Sequence, residues 1–218
     1  MDKDFWHRRW AKQEIGFHSA EVHYFLQRFL YRLNLPVGAK ILVPLCGKSL
    51  DLLWLCERGF ELIGVELSRQ AIEEFCRENH LQATITKVDG FDCYTFEKLT
   101  IYCGDFFSLT EIHTGKIDAV YDRGALVAFP PAMRQNYVNQ LRQLVASGSQ
   151  MLTISYDFNQ QQRPGPPFSV PQADLAALFS DWCRLEKIHT ESTLEKHQML
   201  KGAGVESLLE EVYQIQVE

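Results

Sequence analysis

Short apolar runs alternate along the chain with longer segments in which apolar residues recur at helical spacing. The apolar runs predict strands over residues 40–44, 61–65, 117–121 and 150–156. The periodic segments predict helices over residues 21–33, 49–59, 68–79, 131–145 and 174–179. Strands that alternate with helices in this way are typical of a doubly wound α/β fold, a mostly parallel sheet with helices on both faces.

Two further regions are predicted to add strands outside this alternation. Three short apolar runs, at residues 84–88, 93–96 and 99–103, are separated by turn signals, and one of them is expected to join the main sheet while the others form a small hairpin. Two late strands are predicted near residues 182–189 and 208–217. The pattern has no internal repeat or linker, which predicts a single domain over residues 1–218.

The turn after the first predicted strand carries the strongest indication of a ligand. Gly47 follows this strand in a tight turn, and about twenty residues later the second strand ends on Glu66. In nucleoside-binding α/β folds, the first turn lets the ligand approach the backbone, and the acid accepts hydrogen bonds from ribose hydroxyls. The turn lacks the G-x-G-x-x-G pattern of pyrophosphate sites. It therefore favours a cofactor without phosphates, such as S-adenosylmethionine, and the alternative is an ordinary strand-turn-helix.

Four predicted strand ends indicate where such a ligand would lie. Leu45, Glu66, Asp105 and the pair Asp122-Arg123 all follow strands, and open parallel sheets bind ligands outside the carboxyl ends of their strands. Asp105 can accept from an adenine amino group, and Arg123 can bind the carboxylate of the cofactor or lie near its ribose. Taken singly, Asp105 is also explained as a loop acid that caps a turn, and Asp122-Arg123 as a surface pair.

An aromatic cluster precedes the first predicted helix. Trp6, Trp10, Phe17 and His18 lie close together in the sequence. Large rings at this density predict that residues 1–19 form an N-terminal flap over a planar ligand. A hydrophobic edge that anchors the N-terminus explains the same composition equally well.

Composition narrows the range of partners. The net charge of −6 disfavours nucleic acid, and no cluster of Lys or Arg suggests a membrane surface. No apolar stretch has the length of a signal peptide core or a membrane span. The six cysteines form no C-x-x-C pair, and the seven histidines show no metal-binding spacing. These features predict a cytoplasmic protein with reduced thiols and no metal.

Five segments together resemble the thiopurine S-methyltransferase family. They are GFH at 16–18, VPLCGKS at 43–49, GVELS at 64–68, YDRGAL at 121–126 and PGPPFSVP at 164–171, in the order of that family. The resemblance covers nearly the whole chain and is closest to compact bacterial members. It implies a Rossmann-like class I methyltransferase fold, with a seven-stranded sheet whose last strand is antiparallel.

The resemblance also implies the reaction and the site. The donor would be S-adenosylmethionine, and the acceptor would be the sulfur of an aromatic or heterocyclic thiol such as a thiopurine. The positions that match donor contacts are Trp10, Leu45, Gly47, Glu66, Gly104, Asp105 and Arg123, and Phe17 matches an acceptor contact. Some relatives carry an apolar residue in place of Asp105, so only its backbone contact carries over.

Several functional expectations follow from this resemblance. Asp122 and Arg123 are the candidates for groups that orient the reactants, and no general base is assigned. The resemblance implies a small thiol as the acceptor and a natural role that extends to detoxifying small sulfur, selenium or tellurium compounds. The pattern leaves no large apolar helix unplaced, which predicts a monomer. Two alternatives stay open: a non-catalytic sensor of adenosine ligands, and a nicotinamide-dependent oxidoreductase.

Overall fold

A single sheet organises the chain in the computed structural model, which describes residues 3–218. Within these residues nine strands hydrogen-bond in the order β3-β4-β5-β2-β1-β6-β7-β9-β8. Their bounds are β1 Lys40–Pro44, β2 Glu61–Glu66, β3 Thr84–Val88, β4 Phe91–Thr95, β5 Leu99–Cys103, β6 Ile117–Arg123, β7 Val145–Asp157, β8 Cys183–Ser192 and β9 Leu209–Val217.

The centre of the sheet has the predicted parallel arrangement. Strands β5, β2, β1, β6 and β7 run parallel to one another, whereas β9 is antiparallel to both β7 and β8. Because β9 runs in the opposite direction, its first residues lie at the same edge as the last residues of the parallel strands: Glu210 pairs with Tyr156 near the end of β7.

The sheet has more strands than the seven that were expected. Seven contiguous strands, β5-β2-β1-β6-β7-β9-β8, form the expected sheet, and β3 and β4 extend it beyond β5. The added strands form a hairpin in which Asp89 and Gly90 both have positive φ, as two-residue hairpin turns require. The hairpin does not stand apart, because β4 continues the ladder with β5, where Cys93 pairs with Tyr102 and both side chains are buried.

Helices cover both faces of this sheet. Their bounds are α1 Lys3–Ala11, α2 Tyr24–Phe29, α3 Asp51–Glu57, α4 Arg69–Glu78, α5 Glu111–Thr114, α6 Pro131–Leu144, α7 Gln172–Phe179 and α8 Gln198–Gly202. One hydrophobic core joins the sheet to α6 and α7, and a second core on the other face joins it to α2, α3 and α4. Neighbouring residues of β1 divide between the two cores, since successive strand side chains point to opposite faces.

Two helix starts show how local hydrogen bonds set the boundaries. Ser68 caps α4 as predicted, because its hydroxyl accepts from the amide of Ala71. The helix expected from residue 21 begins only at Tyr24, because the Nδ1 atom of His23 accepts from the amide of Phe25 and caps it there. Beyond Phe29 this helix tightens into a 3-10 turn that ends at Leu33.

The N-terminal segment contains a helix that the aromatic cluster alone did not predict. Helix α1 packs against α4, and Trp10 near its end is almost completely buried. Of the predicted flap, residues 1 and 2 lie outside the described part of the chain. Within residues 3–218, no helix combines the length and the apolar character that crossing a bilayer requires.

Candidate active site

A deep cavity of about 730 Å³ lies at the carboxyl ends of β1, β2, β5 and β6. Its volume is within the usual range for small-molecule sites. All seven predicted donor positions and the predicted acceptor position line it, namely Trp10, Phe17, Leu45, Gly47, Glu66, Gly104, Asp105 and Arg123. Residues that are distant in the sequence are therefore brought together around one space.

The turn after β1 has an uncommon backbone conformation. Leu45 has a φ of 50° and Gly47 a φ of 55°, both in the left-handed region. This conformation is strained for a residue with a side chain such as Leu45, and strain of this kind is concentrated at functional sites. A Cβ atom on Gly47 would lie 3.4 Å from the ring of Trp10, so the turn and the N-terminal segment are in close contact.

Glu66 holds this turn in place from the end of β2. One carboxylate oxygen accepts from the amide of Gly47 at 2.8 Å, and the other accepts from the amide of Ser68 at 2.7 Å. Burial raises the pKa of Glu66, while these backbone donors oppose that rise. Glu66 lines the cavity, and each of its oxygens can accept a further hydrogen bond from a hydroxyl of a ligand.

A buried ion pair fixes the next residue of the same turn. The Lys48 ammonium lies 2.9 Å from Glu74 and 2.8 Å from Glu78, both on α4. Gln13 and Gln70 also donate to Glu74, and Gln70 donates to the backbone oxygen of Trp10. This network ties the cavity turn and the N-terminal segment to one helix.

Gly104 and Asp105 follow β5 and bound the cavity beside Glu66. A Cβ atom on Gly104 would lie 2.5 Å from the ring of Phe91, so the packing of the β4 side chain requires glycine there. The Asp105 carboxylate accepts from the amide of Phe107 at 3.0 Å and lies 2.7 Å from the Lys3 ammonium. Asp105 therefore caps a turn and also connects the N-terminal helix to the cavity rim.

Asp122 and Arg123, which were expected to act together, have different surroundings. Asp122 is buried and is absent from the described residues that line the cavity. Its carboxylate accepts from the Tyr137 hydroxyl at 2.7 Å and from the amides of Ala125 and Leu126. Burial raises its pKa to about 6. Consecutive strand residues point to opposite faces, so Asp122 supports the turn after β6 instead of lining the cavity, and its part in orienting the reactants stays a prediction.

Arg123 lines the cavity itself. Its guanidinium donates to the backbone oxygen of Phe17 at 3.4 Å, and its Nε atom is buried without a hydrogen-bond partner among the described residues. Burial alone would lower the pKa of Arg123, but the surrounding phenol and carboxylate groups, with Tyr156 the largest of them, raise it. Arg123 therefore stays cationic and retains donors for an anionic group of a ligand.

The aromatic cluster forms the roof beside Arg123. The Phe17 ring makes edge contacts with Trp6 and Trp10, with centroids 5.5 Å and 5.6 Å apart. Because Trp6, Trp10 and Phe17 all line the cavity, the rings present apolar surface to a ligand. This position agrees with the predicted flap. That the flap moves to close the cavity stays a prediction.

A second group of polar residues on the cavity wall was not predicted from the sequence. It consists of His23, Tyr156, His197 and Glu210. Glu210 is only 3% exposed, and its Oε1 atom lies 3.3 Å from Nε2 of His197 and 3.7 Å from Nε2 of His23. The only signal in the sequence was weak, since Glu210 and Glu211 are two acids at the start of a strand whose later residues alternate between apolar and polar.

Metal-ligating side chains do not gather in the described structure. Across residues 3–218, no group of three or more His, Cys, Asp or Glu side chains is placed to hold a metal ion. Independence from metal ions remains a prediction.

Comparison with solved structures defines the class of protein. The chain is similar to a SAM-dependent methyltransferase from Anabaena variabilis, with a TM-score of 0.66, 15% identity, and 99% of this chain and 95% of that chain covered. It is also similar to a 1,6-didemethyltoxoflavin-N1-methyltransferase from Burkholderia thailandensis, with a TM-score of 0.66, 13% identity, and 99% and 87% covered. The fold is therefore that of the class I S-adenosylmethionine-dependent methyltransferases.

Sequence comparison identifies the family within this class. A family profile described as Thiopurine S-methyltransferase (TPMT) matches residues 1–218. The chain is 43% identical over 215 residues to the thiopurine S-methyltransferase of Pseudomonas fluorescens (strain Pf0-1), with 99% of each chain covered. The chain belongs to the thiopurine S-methyltransferase family, which confirms the resemblance seen in its motifs.

Proposed function

We propose that this protein transfers the methyl group of S-adenosylmethionine to the sulfur of an aromatic or heterocyclic thiol, such as a thiopurine. The products are S-adenosylhomocysteine and a thioether. The observation that carries the proposal is the cavity itself, which brings together all the predicted donor positions, Arg123 among them, under the aromatic rings of the N-terminal segment. Membership of the thiopurine S-methyltransferase family supports the choice of donor and acceptor.

The donor half of the cavity fits an adenosine that carries no phosphate. Glu66 is available to ribose hydroxyls, and Asp105 to the adenine amino group or its backbone to a ring nitrogen. The turn at Leu45 and Gly47 offers backbone close to the ligand, and Trp10 covers that turn. The donor supplies a methyl group activated by its sulfonium charge, and the residues supply position and exclusion of water.

The acceptor half supplies charge and an apolar surface. Arg123 has donors in excess of its protein partners, so it binds and orients the anionic sulfur of the acceptor. Phe17 packs against the ring of the acceptor. Heterocyclic thiols of the thiopurine type are acidic enough to be partly ionised near neutral pH, so alignment of thiolate and methyl group accounts for most of the catalysis.

The size of the cavity supports a small molecule as the partner. A monomeric state, a cytoplasmic location and the absence of nucleic-acid and membrane partners stay predictions from composition. Size-exclusion chromatography with light scattering tests the first of them.

Replacing Glu66 by alanine is expected to weaken binding of S-adenosylhomocysteine by about 1–3 kcal/mol, because charge-assisted bonds to the ribose are lost. The amides of Gly47 and Ser68 lose their acceptor as well, so the turn also becomes less ordered. Titration calorimetry measures the affinity. Glu66→Gln keeps one acceptor oxygen, so its affinity is expected to lie between those of Glu66→Ala and the unchanged protein.

The matched control for this prediction is Glu61→Ala, at the exposed first position of the same strand. Its affinity should equal that of the unchanged protein. If Glu66→Ala binds S-adenosylhomocysteine with unchanged affinity, Glu66 does not hold the ribose.

The experiment that tests the proposed function is methyl transfer from labelled S-adenosylmethionine to 6-mercaptopurine, with calorimetric binding of S-adenosylhomocysteine in parallel. Labelled 6-methylmercaptopurine is the expected product. Binding without product from any of a panel of aromatic thiols would instead indicate a sensor of adenosine ligands. Absence of both, with binding of a nicotinamide nucleotide, would indicate the oxidoreductase alternative.

A further inference from the structure

A carboxylate and an imidazole on the cavity wall have no role in the proposed function as stated so far. Glu210 is buried at the start of β9, and its Oε1 atom has no hydrogen bond among the described residues. The His197 Nε2 atom, at 3.3 Å, is its nearer imidazole neighbour. A buried carboxylate oxygen beside an imidazole is positioned to stabilise positive charge on that ring.

The two imidazoles that face Glu210 differ in the state of their other nitrogen. The Nδ1 atom of His23 accepts from the amide of Phe25 at 3.3 Å, so this ring is fixed as a helix cap with Nε2 toward Glu210. The Nδ1 atom of His197 takes part in none of the hydrogen bonds of the described residues, and His197 lines the cavity. His197 can therefore take up a proton at Nδ1, whereas protonation of His23 at Nδ1 would break the hydrogen bond that caps α2.

Two other groups of the cavity are less suited to accept a proton. Burial and the neighbouring Lys48 lower the pKa of His18, and the opposing effect of Glu78 and Glu74 does not reverse this. Burial also raises the pKa of Tyr156, so its phenol stays protonated while its ring packs edge-on against His197 at 5.3 Å. Lys196, the adjacent cation, is paired with Glu191 at 2.7 Å.

We propose that His197 is a general base for acceptors whose thiol is protonated at neutral pH, with Glu210 as the positioning residue that orients its ring. This inference rests on the proposed function and extends the acceptor class beyond acidic heterocyclic thiols. Glu210 is in turn flanked by His23 and lies across the sheet ladder from Tyr156. The arrangement is a carboxylate-imidazole pair in which the carboxylate stabilises the imidazolium that forms.

The step balances without any further reactant. The S–H bond of the acceptor breaks and its proton moves to Nδ1 of His197, while the sulfur electron pair forms the new bond to the methyl carbon. The bond between that carbon and the sulfonium breaks, and its electron pair stays on the sulfur of S-adenosylhomocysteine. The imidazolium then loses its proton to solvent, since the His197 side chain is 22% exposed.

The test compares an aromatic thiol and an arylalkyl thiol as acceptors in the His197→Gln variant. 4-Nitrothiophenol is a thiolate at neutral pH, whereas benzyl mercaptan is a thiol. We expect kcat/KM for benzyl mercaptan to fall by about a hundredfold, the usual contribution of a general base, and that for 4-nitrothiophenol by no more than about threefold. Glu210→Gln should show the same acceptor dependence with a smaller loss, mainly in kcat, and it provides a second variant if His197→Gln does not fold.

The matched control is His189→Gln. His189 is also 22% exposed and lies 3.4 Å from a glutamate, but it packs on Phe25 and Phe29 and does not belong to the described cavity lining. Equal losses with both acceptors in His197→Gln, or an acceptor-dependent loss only in His18→Gln, would overturn the proposal. Methylation of 4-nitrothiophenol but not of benzyl mercaptan by the unchanged protein would also overturn the proposal, whereas failure with 4-nitrothiophenol and with 6-mercaptopurine would contradict the proposed function.

Discussion

Replacing Arg123 by alanine is expected to lower kcat/KM for 6-mercaptopurine by about a hundredfold to a thousandfold, the usual effect of removing a preorganised donor from the reacting charge. Arg123 is a cavity-lining cation whose Nε atom lacks a partner among the described residues. Its pKa is raised, so it is charged at neutral pH. Without it, the anionic sulfur loses its counter-charge and the carboxylates of Asp51 and Glu210 dominate that wall.

Two measurements decide which ligand Arg123 holds. If it binds the acceptor, the affinity for S-adenosylhomocysteine should change by less than about tenfold in Arg123→Ala, far less than kcat/KM. Equal losses of this affinity and of kcat/KM would indicate that Arg123 binds the carboxylate of the donor instead. Arg123→Lys keeps the charge but not the planar fork, so recovery of only part of the activity is expected.

The control is Arg32→Ala, because Arg32 donates to Gln214 and Glu186 and lies outside the described cavity lining. Its kcat/KM should stay within about twofold of the unchanged protein. A loss in Arg123→Ala no greater than that of Arg32→Ala would contradict the role of Arg123.

The fold was predictable because its signals are local. Buried parallel strands such as β1 and β2 are near-continuous apolar runs, and Ser68 and Gly47 mark where a helix and a turn begin. The pairing of β3 and β4 with the main sheet was not predictable in this way. Whether a hairpin stands apart or extends a sheet depends on contacts between strands, here Cys93 with Tyr102, that no short pattern specifies.

The residues of the candidate site also separate into those that local signals predicted and those that only tertiary structure places. Glu66 and Arg123 follow parallel strands, so the rule that ligands bind at carboxyl ends was enough to bring them together. Glu210 lies at the beginning of its strand and reaches the same edge only because β9 is antiparallel to β7. His197 immediately precedes the short helix α8 and reaches the cavity through tertiary packing.

Asp122 also shows that proximity in the sequence does not give a common direction. It was predicted to act with Arg123, yet neighbouring strand residues face opposite sides of a sheet. Its carboxylate contacts Tyr137 and two backbone amides instead of the cavity. A buried acid thus stabilises the turn that follows Arg123. Because this acid titrates, the free energy of unfolding depends on pH.

Asp122→Asn is expected to become more stable relative to the unchanged protein as the pH rises from about 4 to about 7. Burial raises the pKa of Asp122 from 3.8 to about 6, so the folded state binds this proton more tightly than the unfolded state does. The stability that the protonated acid contributes is complete below pH 3.8 and is lost as the pH rises through 6. A shift of about two pKa units corresponds to about 3 kcal/mol at neutral pH, and asparagine does not titrate.

Urea unfolding of both proteins at a series of pH values measures this difference, because the other titrating groups are common to both and cancel. Tyr137→Phe provides the matched variant: the tyrosine hydroxyl lowers the pKa of Asp122, so its removal should shift the loss of stability to higher pH and enlarge it. A difference between Asp122→Asn and the unchanged protein that stays constant from pH 4 to pH 7 would mean that Asp122 ionises as it does in the unfolded chain. In that case the buried acid would not limit the stability of the turn that carries Arg123.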